Sequence, residues 1–291
     1  MILVIGATGL LGGEICLLLA KQGKPVRALV RVSSDPGKVA HLQGLGVEIV
    51  QGDLKHPASL HAACNGATVV LSTASSMLSR QGGDSIDSVD RQGQLDLIDA
   101  AEKAGVRQFV LVSFPDIDIS FPLQSAKRRV EDRLQRGPMT YTILQPTCFM
   151  EIWLSAALGF DPANGTARIY GTGHNKLSWI SFFDVAQFAA AAVGNPRVAN
   201  VAIKLGGPEA LSQFEVVRLA EQLAEKPIKV ENVPDDALQA QQTAALDPLQ
   251  QSMAALMRYC ARGDAIEMSE MLRTLPVPRL KSVREYLTSI T

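Results

Sequence analysis

Short runs of apolar, mostly β-branched residues alternate with segments of helical periodicity through the first two thirds of the chain. These apolar runs are continuous, which is typical of strands buried on both faces of a parallel sheet. The pattern predicts six strands, at residues 2–5, 26–30, 47–51, 69–72, 109–113 and 140–145. It predicts helices between them, at residues 10–22, 58–63, 91–104 and 126–136. Because strands and helices alternate, we expect an α/β fold with a doubly wound parallel sheet.

The pattern becomes less regular after Pro146. Residues 148–173 contain aromatic residues and glycines without a clear period, and we expect irregular structure there. The elements predicted beyond are helices at 180–193, 211–225 and 282–290, strands at 201–205 and 228–233, and a long helical stretch at 235–262 with Pro248 inside it. We expect this part to form a smaller lobe against the carboxyl edge of the sheet, with the chain crossing between the two lobes more than once.

Composition limits the range of partners. The 291 residues are 47% hydrophobic and 20% charged, and the net charge is −1, so nothing favours nucleic acid or an anionic membrane as a partner. The four cysteines are far apart and show no C-x-x-C spacing, so we expect buried reduced thiols and no metal site. No basic residues precede the first apolar run, and no stretch is long enough to cross a bilayer. The sequence therefore predicts a soluble, cytoplasmic protein.

A glycine-rich loop at residues 6–12, Gly-Ala-Thr-Gly-Leu-Leu-Gly, follows the first strand and opens the first helix. Gly6 permits a tight turn, Gly9 lets the backbone approach a ligand closely, and Gly12 allows close helix–strand packing. The N-terminus of the helix favours an anion, because its N–H groups lack helical partners and its dipole is positive there. This context predicts a dinucleotide site. The residues assigned to it are Gly6, Thr8, Gly9, Leu10, Leu11 and Gly12.

The end of the second strand indicates which dinucleotide is bound. An acidic residue there would hydrogen-bond the ribose 2′-hydroxyl of NAD, but this sequence has Arg31. A guanidinium suits the 2′-phosphate of NADP, and Ser33, Ser34 and Lys38 offer further donors. The alternative is that Arg31 is a solvated loop residue. We favour the phosphate-binding role, because the expected acid is absent and Asp35 comes too late to replace it. The predicted cofactor is therefore NADP(H).

Further segments share the spacing of one known group of proteins. They are Val-Arg-Ala-Leu-Val-Arg at 26–31, Gly-Asp-Leu at 52–54, Ala-Ala-Glu-Lys-Ala-Gly-Val at 100–106, Lys-Arg-Arg-Val-Glu at 127–131, Tyr-Thr-Ile-Leu-Gln-Pro at 141–146 and Asp-Val-Ala at 184–186. Together with the glycine loop, these segments resemble the NmrA-like branch of the atypical short-chain dehydrogenase-reductases, which includes the isoflavone-reductase-like proteins. The resemblance covers residues 1–205 and is loose beyond them.

This resemblance implies a seven-stranded Rossmann sheet and a small, variable lobe that sets the substrate. The NADP-binding Rossmann domain would comprise residues 1–148 and about 180–205, and the lobe residues 149–179 and 206–291. The resemblance also places residues around the cofactor. These are Asp53 and Leu54 near the adenine, Ser72, Thr73 and Ala74 beside the ribose, and Pro146, Thr147 and Phe149 near the nicotinamide.

The usual catalytic pair of short-chain dehydrogenases is missing. These enzymes use a Tyr four residues before a Lys, which lowers the pKa of the phenol so that it can exchange a proton with a carbonyl substrate. Here Leu123 stands four residues before Lys127, and no tyrosine has this spacing to a lysine. Isoflavone-reductase-like enzymes work with a Lys and no Tyr, so the resemblance still implies Lys127 and Ser113 as catalytic candidates. The alternative for Lys127 is a solvated position on a strongly charged helix.

Two functional hypotheses remain open. In the first, the protein is an NADPH-dependent reductase of a small apolar carbonyl, quinone or enone; Lys127 contacts the cofactor or donates a proton, and Ser113 polarises the substrate. In the second, it is a non-catalytic NADP(H)-responsive regulator or assembly protein that acts through a protein partner or as a homodimer. Side chains that could line a substrate pocket are Phe149, Trp153, Trp179 and His174.

The cofactor assignment predicts the effect of reversing the charge at position 31. Arg31→Asp should weaken binding of NADP(H) far more than binding of NAD(H), because only the former carries a 2′-phosphate. Titrating both cofactors into both proteins tests this. Unchanged affinity for both cofactors would show that Arg31 does not contact the phosphate.

Overall fold

The computed structural model describes residues 1–78, 81–275 and 277–290. Its strands, in chain order, are β1 (Ile2–Ile5), β2 (Val26–Val30), β3 (Glu48–Gln51), β4 (Val69–Ser72), β5 (Gln108–Val112), β6 (Thr140–Pro146), β7 (Phe160–Asp161), β8 (Thr166–Tyr170), β9 (Leu177–Ser178), β10 (Val201–Leu205), β11 (Ala210–Leu211) and β12 (Lys229–Val233). Seven of them form one parallel sheet in the order β10-β6-β5-β4-β1-β2-β3. The predicted doubly wound sheet is therefore confirmed.

Helices cover both faces of this sheet. In chain order they are α1 (Leu10–Lys21), α2 (Pro36–Gly44), α3 (Pro57–Cys64), α4 (Gly93–Lys103), α5 (Pro122–Gln135), α6 (Met150–Trp153), α7 (Phe182–Ala192), α8 (Gln213–Ala224), α9 (Asp235–Ala244), α10 (Pro248–Arg262), α11 (Ser269–Thr274) and α12 (Val283–Thr288). Helices α1 and α7 share one apolar core with the sheet, and α3, α4 and α5 share another on the opposite face. None of the helices in the described ranges is long and apolar enough to span a membrane.

The strand order reverses between β1 and β4. The chain runs outward from β1 through β2 and β3 on one side, and from β4 through β5 and β6 on the other. In an open parallel sheet, the loops at such a reversal diverge and leave a crevice at the carboxyl ends of the strands. The glycine loop follows β1, and the segment after β4 faces it across this crevice. The topology therefore places the predicted cofactor site at the centre of the carboxyl edge.

A third apolar core joins the later part of the chain to this edge. It includes β8, α8 and α10, and it extends to Ile117 and Phe121 in the loop that follows β5. Strand β8 pairs with β7 and β12 in a separate small sheet. Residues Met268, Leu275 and Leu280 instead pack in the core that contains α1 and α7. The chain thus returns to the main sheet after the segments that form this third core.

Several elements differ from the sequence-based expectation. Helix α2 was not predicted; it begins with a proline and is capped by Asp35, whose carboxylate accepts a hydrogen bond from Lys38 N. The stretch predicted as one helix at 235–262 is two helices, because Pro248 starts α10 and Asp247 caps it. A π-helix, Ile86–Gln92, precedes α4. The segment predicted as irregular contains β7 and β8.

Asp184, in the first turn of α7, ties this helix to the C-terminal segment. Its side chain is 1% exposed and accepts a hydrogen bond from Lys281 N at 3.0 Å. Burial raises the pKa of Asp184 to about 6 from its ordinary value of 3.8. The folded protein therefore holds this proton more tightly than the unfolded chain does, and ionisation of Asp184 opposes folding.

The free energy of unfolding should reflect this difference. Relative to Asp184→Asn, the stability of the wild type should fall as the pH rises from 3.8 to about 6, by an amount on the order of 2 kcal/mol. Urea denaturation across this range, with Asp116→Asn as an exposed control, measures the effect. A constant difference between wild type and Asp184→Asn at all pH values would contradict it.

Candidate functional site

The glycine loop closes tightly on the end of β1. Gly6 has φ +83°, a left-handed conformation that suits glycine, and its carbonyl accepts a hydrogen bond from Gly9 N at 2.9 Å. A Cβ atom on Gly12 would lie 2.2 Å from the same carbonyl oxygen. A side chain at position 12 would therefore push the start of α1 away from β1, which explains why glycine is needed there.

The segment after β4 forms the opposite wall of the loop. Thr73 bonds to Ile5 O through both its N and its Oγ1, and a Cβ on Gly6 would lie 2.6 Å from Thr73 Oγ1. Helix α1 begins at Leu10, and no side chain in the described part of the protein caps its first turn. The backbone N–H groups at this crevice fit the pyrophosphate of a dinucleotide. A Cβ atom at Gly6 or Gly12 would clash with the loop or its opposite wall.

The side chains of Ser72 and Leu54, two of the predicted cofactor contacts, lie inside the protein. The Ser72 hydroxyl donates to Gln94 Oε1 at 3.0 Å inside the protein, and Leu54 packs in the core beside α3 and α4. Asp53, just after β3, accepts a hydrogen bond from Lys55 N at 2.9 Å.

The end of β2 carries a cluster of charged side chains. Arg31 Nη1 lies 2.7 Å from Asp84 Oδ2, and Lys55 Nζ lies 2.6 Å from Asp84 Oδ1. The Ser33 hydroxyl donates to Gln81 Oε1, which belongs to the same segment as Asp84. Lys38 instead lies exposed in the first turn of α2. The structure therefore brings Arg31 and Ser33 together and adds Lys55, which the sequence analysis missed although it lies only two residues after Asp53.

Lys127 is buried, so its interpretation as a solvated helix residue is wrong. It is 4% exposed, and its Nζ lies 3.2 Å from Asp90 Oδ1. Asp90 is fully buried in the π-helix, and its Oδ2 accepts hydrogen bonds from Ser76 N at 2.9 Å and Ser76 Oγ at 2.6 Å. π-Helical turns are frequent at functional sites, and this one carries the carboxylate that holds Lys127.

Ser113 lies at the end of β5 in a second buried polar group. Arg128 Nη2 donates to Ser113 Oγ at 3.1 Å and to Phe114 O at 2.6 Å. The same Nη2 lies 2.9 Å from Glu131 Oε1, and Gln145 Nε2 donates to the Glu131 carboxylate. Burial raises the pKa of Glu131 above its ordinary value, although hydrogen bonding to Ser113 and the charge of Arg128 oppose this shift.

The three tyrosines of the lobe lie away from these groups. Their hydroxyls are engaged within the lobe: Tyr170 and Tyr286 donate to the carbonyls of Leu158 and Leu154, and Tyr259 lies 2.9 Å from Asp264 Oδ2. Tyr141 is in β6, toward the start of the strand. The position four residues before Lys127 is Leu123, which is buried.

The predicted nicotinamide contacts lie at the end of β6 and beyond it. Thr147 N donates to Leu205 O at 2.9 Å, and its hydroxyl donates to Ser178 O. Phe149 is half-buried and pairs with Ile180. These contacts join the carboxyl edge of the sheet to the lobe.

The aromatic residues expected to line a substrate pocket have different surroundings in the structure. Trp153 and Trp179 line an apolar cavity of only about 10 Å³, room for about one water molecule. His174 stacks on Phe214, with ring centroids 4.8 Å apart. A cleft of about 620 Å³ lies instead between the loop before α5 and helices α9 and α10. Its lining is polar and includes Arg258 and Arg262.

The role of Gly12 can be tested with its neighbour as a control. A methyl group at position 12 would clash with Gly6 O, whereas at position 13 it would make an ordinary contact 3.4 Å from Ala7 O. We expect Gly12→Ala to lower dinucleotide affinity at least about tenfold, and Gly13→Ala to leave affinity unchanged and to raise stability by up to ~1 kcal/mol. Equal affinities for the two variants in fluorescence titrations, with thermal unfolding measured alongside, would disprove this role.

Known proteins provide an independent comparison. The model of the NmrA-like family matches residues 1–287. An NAD(P)H azoreductase of Xenophilus azovorans is 30% identical, over 100% of this chain and 93% of that protein. The isoflavone reductase homolog IRL of Zea mays is 32% identical, over 90% and 87%. The photosystem II assembly factor Ycf39 of Trieres chinensis is 30% identical, over 80% and 72%.

Solved structures agree in fold. An NADPH-dependent quinone oxidoreductase of Escherichia coli, QOR2 with NADPH, superposes with a TM-score of 0.80 at 22% identity, covering 100% of this chain and 99% of that one. A triphenylmethane reductase of a Citrobacter species with NADP(H) has a TM-score of 0.79 at 20% identity and covers 100% of both chains. The cofactor predicted from the sequence is the one that these two proteins bind. By its match over nearly the whole length, the chain belongs to the NmrA-like family.

Proposed function

We propose that this protein is an NADPH-dependent reductase of a small carbonyl, quinone or enone. The observation that supports this most is that Lys127 is buried against Asp90. The next residue on the same helix, Arg128, contacts Ser113. Burying an ammonium group costs free energy unless a carboxylate partner is present, and the fold provides that partner. The names of the similar azoreductase and isoflavone reductase homolog fit the same class of reaction.

The residues of the glycine loop fit NADP(H) because the backbone of Gly6, Gly9 and Gly12 leaves space where a Cβ would intrude. When bound there, NADPH would supply a hydride to the substrate. Asp53 would lie near the adenine, and Thr73 and Ala74 beside the ribose. Pro146, Thr147 and Phe149 lie where β6 leaves the sheet and would face the nicotinamide half.

The chain must also stabilise the oxygen that becomes negative as the substrate is reduced, and deliver a proton to it. Lys127 Nζ is oriented by Asp90 and would act as the proton donor. The Ser113 hydroxyl would donate to this oxygen after turning away from Glu131, and the charge of Arg128 beside it would stabilise the same oxygen. Lys127 and Ser113 would thus take over the work that a tyrosine does in related enzymes.

Replacing Lys127 tests the catalytic assignment. With NADPH and a panel of quinones and enones, we expect Lys127→Met to lower kcat by at least about a hundredfold. Arg129→Met removes an exposed cation two residues away on the same helix and should leave kcat unchanged. Activity of Lys127→Met equal to that of Arg129→Met would disprove a catalytic role for Lys127.

A second candidate function is a non-catalytic NADP(H)-responsive assembly or regulatory protein. It is favoured by the similarity to a protein named as a photosystem II assembly factor, and by Leu123 at the position of the usual tyrosine. This hypothesis predicts tight NADPH binding without turnover of any substrate on the panel. It also predicts that a protein partner binds the NADP⁺ and NADPH forms with different affinity. Turnover that Lys127→Met abolishes would exclude it.

A further inference from the structure

The charged cluster at the end of β2 has a specific composition. Two cations, Arg31 and Lys55, contact the two oxygens of one carboxylate, Asp84. They come from the ends of adjacent strands β2 and β3, and Asp84 comes from the segment after β4. The cluster lies at the position where a dinucleotide-binding sheet of this kind meets the 2′ substituent of the adenosine ribose.

Exposure differs between the partners. The Asp84 side chain is only 2% exposed, whereas Arg31 and Lys55 keep 26% and 19% of their side-chain surface accessible. Lys55 Nζ also donates to Gly82 O at 3.0 Å, so the backbone beside Asp84 takes part in holding it. Both cations are thus accessible to a ligand from the crevice, while the carboxylate that neutralises them is enclosed behind them.

Asp84 carries a full negative charge in this arrangement. Burial alone would favour the neutral acid, but hydrogen bonds from Lys55 and Arg31 lower its pKa below the ordinary value. Asp84 pairs with both cations, and Asp53 Oδ2 lies 3.7 Å from Lys55 Nζ, so each cation already faces a carboxylate. A phosphate that approaches them must share them with Asp84 or replace it, and the repulsion between the two anions opposes its binding.

We propose that Lys55 joins Arg31, already assigned to the 2′-phosphate, in this subsite, and that Asp84 is an internal competing anion that weakens binding of NADP(H) relative to NAD(H). This inference rests on the proposed cofactor and not on whether the protein catalyses a reduction. NAD(H) has no 2′-phosphate, so it binds without disturbing the three-residue cluster. NADP(H) gains two cations but must overcome Asp84, and Asp84 therefore sets the degree of preference between the two cofactors.

Fragments of the cofactor test the subsite without any reductase assay. Adenosine 2′,5′-bisphosphate carries the 2′-phosphate, and adenosine 5′-monophosphate is its counterpart without that group. We expect Asp84→Asn to bind the bisphosphate roughly tenfold more tightly than the wild type does, since an asparagine can still accept a hydrogen bond but carries no charge. Affinity for the monophosphate should stay within about twofold, and the gain for the bisphosphate should shrink at high salt.

Two further variants complete the experiment. Lys55→Gln should weaken binding of the bisphosphate at least about fivefold and leave the monophosphate unaffected. Glu48→Gln is the matched control. It removes a carboxylate on β3 that pairs at 2.8 Å with Arg27, a residue near the start of β2. It should change neither affinity. Calorimetric titration of the four proteins, each checked by thermal unfolding, provides the readout.

The outcomes separate the subsite from the proposed function. Weaker binding of the bisphosphate to Asp84→Asn, or an equal gain for both fragments, would overturn the role of Asp84 as a competing anion. A wild type that binds the bisphosphate no more tightly than the monophosphate would overturn the subsite itself, whatever the reductase assays give. A selective gain in Asp84→Asn supports the inference even if no substrate is turned over.

Discussion

The close approach of α1 to the end of β1 is the constraint on which the rest of this site depends. At position 12 there is no space for even a methyl group, because the carbonyl oxygen of Gly6 occupies it. This contact fixes the start of α1 at the centre of the sheet's carboxyl edge. Thr73, bonded to Ile5 O, closes the loop from the other side, so that β1, α1 and the end of β4 form one rigid unit.

The segment between β4 and α4 then links the two ends of the crevice. It supplies Asp84 to the cations at the ends of β2 and β3, and Asp90 to Lys127 on α5. Both carboxylates are almost completely enclosed, so each cation is held by a partner that water cannot replace. Removing one member of such a pair leaves an uncompensated charge, which makes these pairs far more important to local geometry than exposed ones.

The proposed cofactor site and the proposed catalytic residues lie in different parts of this arrangement. The glycine loop and the Arg31 cluster involve only the first half of the sheet. Lys127 and Ser113 belong to α5 and β5 and border the loop that packs against the lobe. The cleft between the loop before α5 and helices α9 and α10 has a polar lining, which does not reflect the apolar character predicted for the substrate.

The sequence alone determined the strands, their parallel arrangement and the glycine loop. These features depend on local periodicity and on the backbone freedom of single residues, which are visible without the fold. It also indicated Arg31, through its position after the second predicted strand, and Lys127, through the resemblance to a known family. Only the tertiary structure decided which charges meet: Arg31 and Asp84 are 53 residues apart in the chain, and Lys127 could be judged buried only once Asp90 was found beside it. Such pairs depend on strand order and on the path of the segment after β4, because side chains from non-adjacent elements meet only when the sheet is assembled.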